Sequence, residues 1–115
     1  MKTLAEIELA LRDRVAIEKA VQIIRTRLPV EEIILFGSKA RGEDDPESDI
    51  DLLVLTARPV SRAERHGLLA ALYPIQLEQE VCLSPLVVAA ADWRSGPISV
   101  LPIRSEVDEQ GVAAA

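Results

Sequence analysis

The residues with the clearest chemical potential begin at a glycine-serine pair, Gly37-Ser38, which ends an apolar run. Gly37 has no Cβ, so phosphate groups can approach the backbone amides there, and the Ser38 hydroxyl adds a hydrogen-bond donor. If Ser38 to Arg41 begin a helix, their free N–H groups suit the phosphates of a nucleoside triphosphate. Lys39 and Arg41 would then add positive charge at the same place.

A pair of aspartates, Asp49-x-Asp51, follows after ten further residues and opens another aliphatic run. On a strand, side chains at positions i and i+2 project from the same face, about 6.6 Å apart. Two ionised carboxylates at that distance repel each other by about 2 to 3 kcal/mol at an effective dielectric constant of about 20, and a divalent cation relieves the repulsion. Because Mg²⁺ prefers oxygen ligands and is commonly shared with substrate phosphates, the pattern predicts a Mg²⁺ site.

Three strands are predicted to position these groups. Residues 33–36 form a continuous apolar run, which is typical of a strand covered on both faces, and residues 49–55 form a second strand that begins with two carboxylates and continues as aliphatic sequence. Residues 80–89 are predicted as a third strand, which Pro85 places at a sheet edge or at a bulge.

Helical periodicity predicts that helices cover this sheet. A capping box opens a helical pattern over residues 3–27, with a break near Asp13, and the turns before the break form a candidate interface. A second capping box opens a helix over residues 61–79, which Pro74 should kink or divide. The last helix covers about residues 98–110, with Pro102 as the alternative start, and is followed by frayed terminal alanines.

Length and composition restrict the fold and function classes. The 115 residues suit one domain, with a core over about residues 14–110, and the order of elements predicts an α/β (α+β) fold in which a small mixed β-sheet packs on helices. A net charge of −6 argues against direct nucleic-acid binding. The single cysteine, Cys82, and the lack of an apolar run of about 20 residues predict a cytoplasmic protein without a membrane partner.

Two segments carry a resemblance to a known family. Residues 37–42 (Gly-Ser-Lys-Ala-Arg-Gly) and 48–54 (Ser-Asp-Ile-Asp-Leu-Leu-Val) resemble the DNA polymerase β-like nucleotidyltransferase superfamily, specifically its minimal nucleotidyltransferases. The resemblance is strong over about residues 30–56 and implies the polymerase β-like fold for a single nucleotidyltransferase domain over residues 1–115. It also implies Mg²⁺-dependent transfer of AMP from ATP to a hydroxyl.

The resemblance implies a partner as well. Small members of this family are often antitoxins that bind a HEPN-domain toxin and adenylylate it on a tyrosine. The expected partners are therefore ATP and a cognate HEPN-type toxin, and a homo-oligomer also stays open.

Individual roles follow from the same resemblance. Ser38 would hold the triphosphate, and Asp49 and Asp51 would hold the metals that activate the attacking hydroxyl. The family's third carboxylate follows a valine on the next strand, where this chain has Val81-Cys82-Leu83. Glu80, predicted two residues before Cys82 on the same strand face, is the candidate substitute, either as a metal ligand or as a general base.

Two other functions stay open. The first is a binding antitoxin with weak or no catalysis, which masks its partner, and Cys82 in place of a carboxylate favours it. The second is transfer of AMP to a small molecule, which the short chain disfavours because it leaves no room for an acceptor-binding half.

Overall fold

The computed structural model of the chain describes residues 1–43 and 45–115, and these residues build a five-stranded mixed sheet and four α-helices. The strands are Lys2–Thr3 (β1), Val30–Phe36 (β2), Ile50–Thr56 (β3), Leu83–Ala89 (β4) and Val112–Ala113 (β5). The helices are Leu11–Arg27 (α1), Arg62–Gln79 (α2), Ala90–Ser95 (α3) and Pro102–Gln110 (α4). Across the sheet the order is β1-β5-β2-β3-β4, with β2 antiparallel and β4 parallel to β3. The predicted α/β architecture is confirmed.

Different helices cover the two faces of the sheet. Ile33 and Leu52 lie on the face packed against α1 and α2, whereas Ile34 and Leu53 lie on the face packed against α3 and α4. Successive side chains of a strand point to opposite faces, which explains why residues 33–36 of β2 and 52–55 of β3 are continuously apolar. Asp51 is two residues before Leu53, so its side chain belongs to the face covered by α3 and α4.

Helix α2 forms from the predicted capping box and runs through its proline. The Ser61 hydroxyl accepts a hydrogen bond from the Glu64 backbone N–H at 3.1 Å, and the Glu64 carboxylate accepts one from the Ser61 N–H at 2.9 Å. The predicted division at Pro74 is wrong. Pro74 lies on the exposed side, while Leu72 and Ile75 on either side of it are buried, and their packing outweighs the missing backbone donor.

No α-helix forms before residue 11, so the prediction of a helix from residue 3 is wrong for residues 3–10. The capping interactions of Thr3 close a single 3₁₀ turn, Leu4–Glu6, and α1 begins at Leu11. Arg14 donates a hydrogen bond to the Ile7 carbonyl oxygen at 3.0 Å, which ties the segment to α1. The helix thus begins near Asp13, where the sequence pattern places the change of apolar face.

The terminal alanines are ordered, against the prediction that they fray. Strand β5 lies between β1 and β2, and the Ala114 N–H donates to the Ile33 carbonyl oxygen at 2.8 Å. The reason is that β3 occupies only one edge of β2, and the backbone groups on its other edge need partners. Helix α4 ends before Gly111, as predicted.

Strand β4 lies at one end of the sheet, which confirms the edge position predicted from Pro85. Among the described residues, the helices are all too short or too polar to cross a membrane.

Candidate active site

The pairing of β2 with β3 brings the glycine turn next to the aspartate pair. Phe36, the last residue of β2, pairs with Asp51, so Gly37 lies beside the start of β3. A Cβ added to Gly37 would collide with the Asp51 carboxylate, and Gly37 has φ +76°, in the left-handed region. Glycine is therefore required here both for backbone conformation and for space.

The two aspartates form a region of unbalanced negative charge. Asp49 is exposed just before β3, and Asp51 is half-buried within it. Burial raises the pKa of Asp51, and the charges of Asp49 and Glu106 raise it further, while the charge of Arg41 lowers it. A bound cation would offset this repulsion.

The donor set fits Mg²⁺. Asp49 and Asp51 supply carboxylate oxygens, and the missing Cβ of Gly37 leaves room beside one of them. The described residues contain no cluster of three or more histidine, cysteine or acidic side chains that would enclose a metal. Mg²⁺ prefers oxygen ligands such as these, and it commonly keeps waters and shares substrate phosphates.

Cys82 lies beside the start of β3, near the aspartate pair, and is the residue that the resemblance aligns with the family's third carboxylate. Its carbonyl oxygen accepts a hydrogen bond from the Ile50 N–H at 2.8 Å, which holds residue 82 beside the start of β3. Desolvation raises the pKa of the Cys82 thiol, and so do the hydrogen bond with Asp49 and the charges of Asp49 and Asp51. The thiol therefore stays neutral and supplies no third negative charge.

Glu80 does not share a strand face with Cys82, so that expectation is wrong. Glu80 ends α2 in the left-handed conformation, with φ 54° and ψ 47°, and β4 begins only at Leu83. The Gln76 side chain accepts a hydrogen bond from the Leu83 N–H at 3.0 Å and so connects the helix end to the strand. The reason for assigning Glu80 to the site is thereby lost.

The segment after Gly37 is a turn, so the condition that Ser38 to Arg41 begin a helix is not met. The Arg41 N–H donates to the Gly37 carbonyl oxygen at 3.2 Å, and the Glu43 N–H donates to the Ser38 carbonyl oxygen at 3.1 Å. Ser38 itself is half-buried next to Gly37. The turn still places Ser38 at the end of β2, beside the start of β3.

Lys39 points away from the aspartates, against the prediction that it contacts phosphate. Its Nζ atom lies 3.0 Å from Asp13 Oδ2 in α1 and donates to the Asp45 carbonyl oxygen at 2.9 Å. Both side chains of the ion pair are almost completely buried. A buried ammonium group needs such partners, which makes Lys39 a structural residue of the turn.

Arg41, in contrast, lies near the aspartates. Its Nε donates to Glu43 Oε1 at 2.8 Å, and its Nη1 donates to Glu106 Oε1 at 3.1 Å. Glu106 was missed by the sequence reasoning because it lies in α4, far from both motifs. The only local signal was its place beside Val107, which is buried against the sheet face that carries Asp51.

Comparisons with known proteins identify the family of the chain. Residues 17–99 match the nucleotidyltransferase domain family. A protein of Methanocaldococcus jannaschii, provisionally named a protein adenylyltransferase, is 48% identical over 54 residues, which are 47% of this chain and 48% of the relative. A second such protein from that organism is 33% identical over 58 residues, which are 50% of this chain and 59% of the relative. The chain thus spans about half the length of these relatives.

Three solved structures share the fold. A chain of a toxin-antitoxin crystal structure with AMP-PNP has a TM-score of 0.62 and 20% identity, and the match covers 92% of this chain and 73% of that one. A chain from the complex of a tri-AMPylated Shewanella oneidensis HEPN toxin with an MNT antitoxin has a TM-score of 0.59 and 21% identity, covering 90% and 71%. A minimal nucleotidyltransferase, also provisionally named, has a TM-score of 0.58 and 24% identity, covering 86% and 89%. With the family match over most of its length, the chain belongs to the nucleotidyltransferase domain family.

Proposed function

We propose that this chain is a Mg²⁺-dependent adenylyltransferase that transfers AMP from ATP to a tyrosine of a cognate HEPN toxin and so acts as the antitoxin. The observation that carries the proposal is the contact between the glycine turn and the Asp51 carboxylate. Because no side chain separates the two, phosphates held at the turn lie within reach of a cation held by the carboxylates.

Each group of the site has a defined task in this reaction. The Gly37 and Ser38 amides and the Ser38 hydroxyl bind phosphate oxygens, and Arg41 adds positive charge. Asp49 and Asp51 would hold Mg²⁺, which supplies charge neutralisation and lowers the pKa of the attacking hydroxyl. The tyrosine oxygen bonds to the α-phosphorus as the bond to the bridging oxygen breaks. Pyrophosphate leaves, and the hydroxyl proton passes to solvent.

The choice of acceptor and partner is supported by the similar proteins. The archaeal relatives are named for protein adenylyltransfer, and one structural neighbour is a complex whose toxin carries AMP. Another structural neighbour was crystallised with an ATP analogue. These likenesses favour ATP as the substrate and a HEPN toxin as the acceptor.

A second function, masking without catalysis, is favoured by one observation. Cys82 stands beside Asp49 and Asp51 where the family has a carboxylate, and its thiol is neutral. With two carboxylates instead of three, the chain would hold Mg²⁺ more weakly. In this alternative the chain neutralises its partner by binding alone.

The two functions are separated by incubating the purified chain with its HEPN partner, ATP and Mg²⁺. Mass spectrometry of the partner should show added AMP with the wild-type chain and with Glu47→Gln, an exposed carboxylate near the site, but not with Asp49→Asn or Asp51→Asn. The aspartate variants should also fail to suppress the partner's toxicity in cells. If they suppress it as well as the wild type and no AMP is added, masking is correct.

Replacing Cys82 tests the missing carboxylate directly. Cys82→Asp places a third acidic side chain beside Asp49 and Asp51, and we expect the rate of AMP transfer to rise by about tenfold at limiting Mg²⁺. Cys82→Ser is the matched control, since it changes the side chain without adding charge. An equal rate for the two variants would show that residue 82 does not take the role of the third carboxylate.

A further inference from the structure

The contact between Arg41 and Glu106 joins the glycine turn to α4 at the edge of the proposed site. We propose that Glu106 is a positioning residue that holds the Arg41 guanidinium beside Asp51, so that it meets the phosphate groups of the incoming nucleotide. This inference rests on the proposed function, since it names how one group of that site is prepared for its substrate.

The geometry of the guanidinium supports this role. Arg41 Nε donates to Glu43 at 2.8 Å, and Arg41 Nη1 donates to Glu106 at 3.1 Å, so a carboxylate just after the turn and one from α4 together orient the guanidinium. Arginine has five N–H donors, and these two contacts leave further donors for phosphate oxygens. The Arg41 N–H donates to the Gly37 carbonyl oxygen at 3.2 Å, and Gly37 lies against the Asp51 carboxylate, so the turn holds Arg41 near the proposed metal ligand.

The guanidinium is also open to a ligand. The Arg41 side chain is about one-third exposed. A guanidinium that two carboxylates orient and that is still partly open to solvent can bind an anion without first changing its conformation.

Helix α4 provides a firm base for Glu106. The next residue, Val107, is 1% exposed and packs in the core beneath α4. Two residues before Glu106, Arg104 Nη1 donates to the Trp93 carbonyl oxygen at 2.6 Å. Glu106 is therefore held by the tertiary structure, and the position of the longer Arg41 side chain follows from it.

Simple electrostatics predicts the opposite effect for this carboxylate. Glu106 adds a negative charge near Asp49, Asp51 and the expected triphosphate, so its removal should strengthen nucleotide binding if charge repulsion dominates. If positioning dominates, removal should weaken binding because Arg41 loses its fixed orientation. The sign of the change therefore decides between the two roles.

The experiment measures the affinity of the purified chain for ATP with Mg²⁺ by isothermal titration calorimetry, after circular dichroism has shown that each variant is folded. Glu106→Ala should weaken ATP binding by about threefold to fivefold. Glu106→Gln keeps an oxygen that accepts from Arg41 and should retain most of the affinity. Glu18→Ala, which removes an exposed carboxylate from α1, should leave the affinity unchanged.

A double variant tests whether Glu106 acts through Arg41. Arg41→Ala should weaken ATP binding more than Glu106→Ala does, and adding Glu106→Ala to it should cause no further loss. Equal or tighter ATP binding by Glu106→Ala, or an additive loss in the double variant, would overturn the positioning role. Failure of the wild-type chain to bind ATP with Mg²⁺ would instead contradict the proposed function itself.

Discussion

The turn after β2 separates two regions that differ in whether their charges are paired. On its α1 side, Lys39 and Asp13 are almost completely buried and form an ion pair at 3.0 Å. On its α4 side, Asp51 and Arg41 stay partly exposed, and the pKa of Asp51 is raised by burial and by neighbouring carboxylates. The first region compensates its charges and holds the turn in place. The second leaves negative charge uncompensated, as expected of a site completed by a cation.

The largest effect is expected from breaking the buried pair on the α1 side. Lys39→Ala leaves the Asp13 carboxylate buried without its cation, and we expect a loss of about 3 kcal/mol in the free energy of unfolding, measured by urea denaturation. Replacing both residues, Asp13→Ala with Lys39→Ala, should cost less than Lys39→Ala alone. Arg41→Ala on the other side should barely change stability, and a comparable loss there would erase the distinction between the two regions.

The boundary between the regions is tested at Gly37. Gly37→Ala adds a Cβ at φ +76° that collides with the Asp51 carboxylate, so we expect a loss of about 2 kcal/mol in unfolding free energy together with loss of ATP binding. Gly42→Ala is a useful comparison, because its φ is +74° but nothing lies within 4 Å of the added Cβ. Equal destabilisation by both variants would mean that backbone conformation alone, and not the space beside Asp51, requires glycine at position 37.

Removing the charge of Asp51, on the α4 side, should make the folded protein more stable. The folded-state pKa of Asp51 is raised, so the folded protein binds this proton more tightly than the unfolded chain does, and stability falls as pH rises from the ordinary aspartate pKa through the raised folded value. Without Mg²⁺ at pH 7, Asp51→Asn should therefore raise the free energy of unfolding by up to about 1 kcal/mol.

Adding Mg²⁺ to the same unfolding experiment distinguishes a role of Asp51 in metal binding from a role in the stability of the fold. It should stabilise the wild type by mass action and leave Asp51→Asn unaffected. Glu47→Gln, an exposed carboxylate near the site, should behave like the wild type throughout. A destabilised Asp51→Asn variant would show that Asp51 is a structural residue like Asp13.

The smallest effect is expected at Glu80, outside both regions. Glu80 adopts the left-handed conformation at the end of α2, where glycine is preferred, so Glu80→Gly should raise unfolding free energy by about 0.5 kcal/mol. AMP transfer should be unchanged. A large loss of transfer in Glu80→Gly and in Glu80→Gln would return Glu80 to the site.

Local patterns predicted most of the large elements. The aliphatic runs around residues 33–36 and 50–55 became β2 and β3, and the capping box at Ser61 opens α2, since each signal acts within a few residues. The two-residue strands β1 and β5 were missed, because each forms only through pairing with a distant segment. The capping box at Thr3 closes one turn and not a long helix.

By itself the sequence determined which residues meet at the end of β2. Gly37 and Asp51 are brought together by the pairing of two neighbouring strands, and the i, i+2 spacing of the aspartates follows from strand geometry. Only the tertiary structure decided which cation faces the site. Lys39 and Arg41 are two residues apart in one irregular turn, where no period assigns a direction, so α1 with Asp13 and α4 with Glu106 determined where each side chain points.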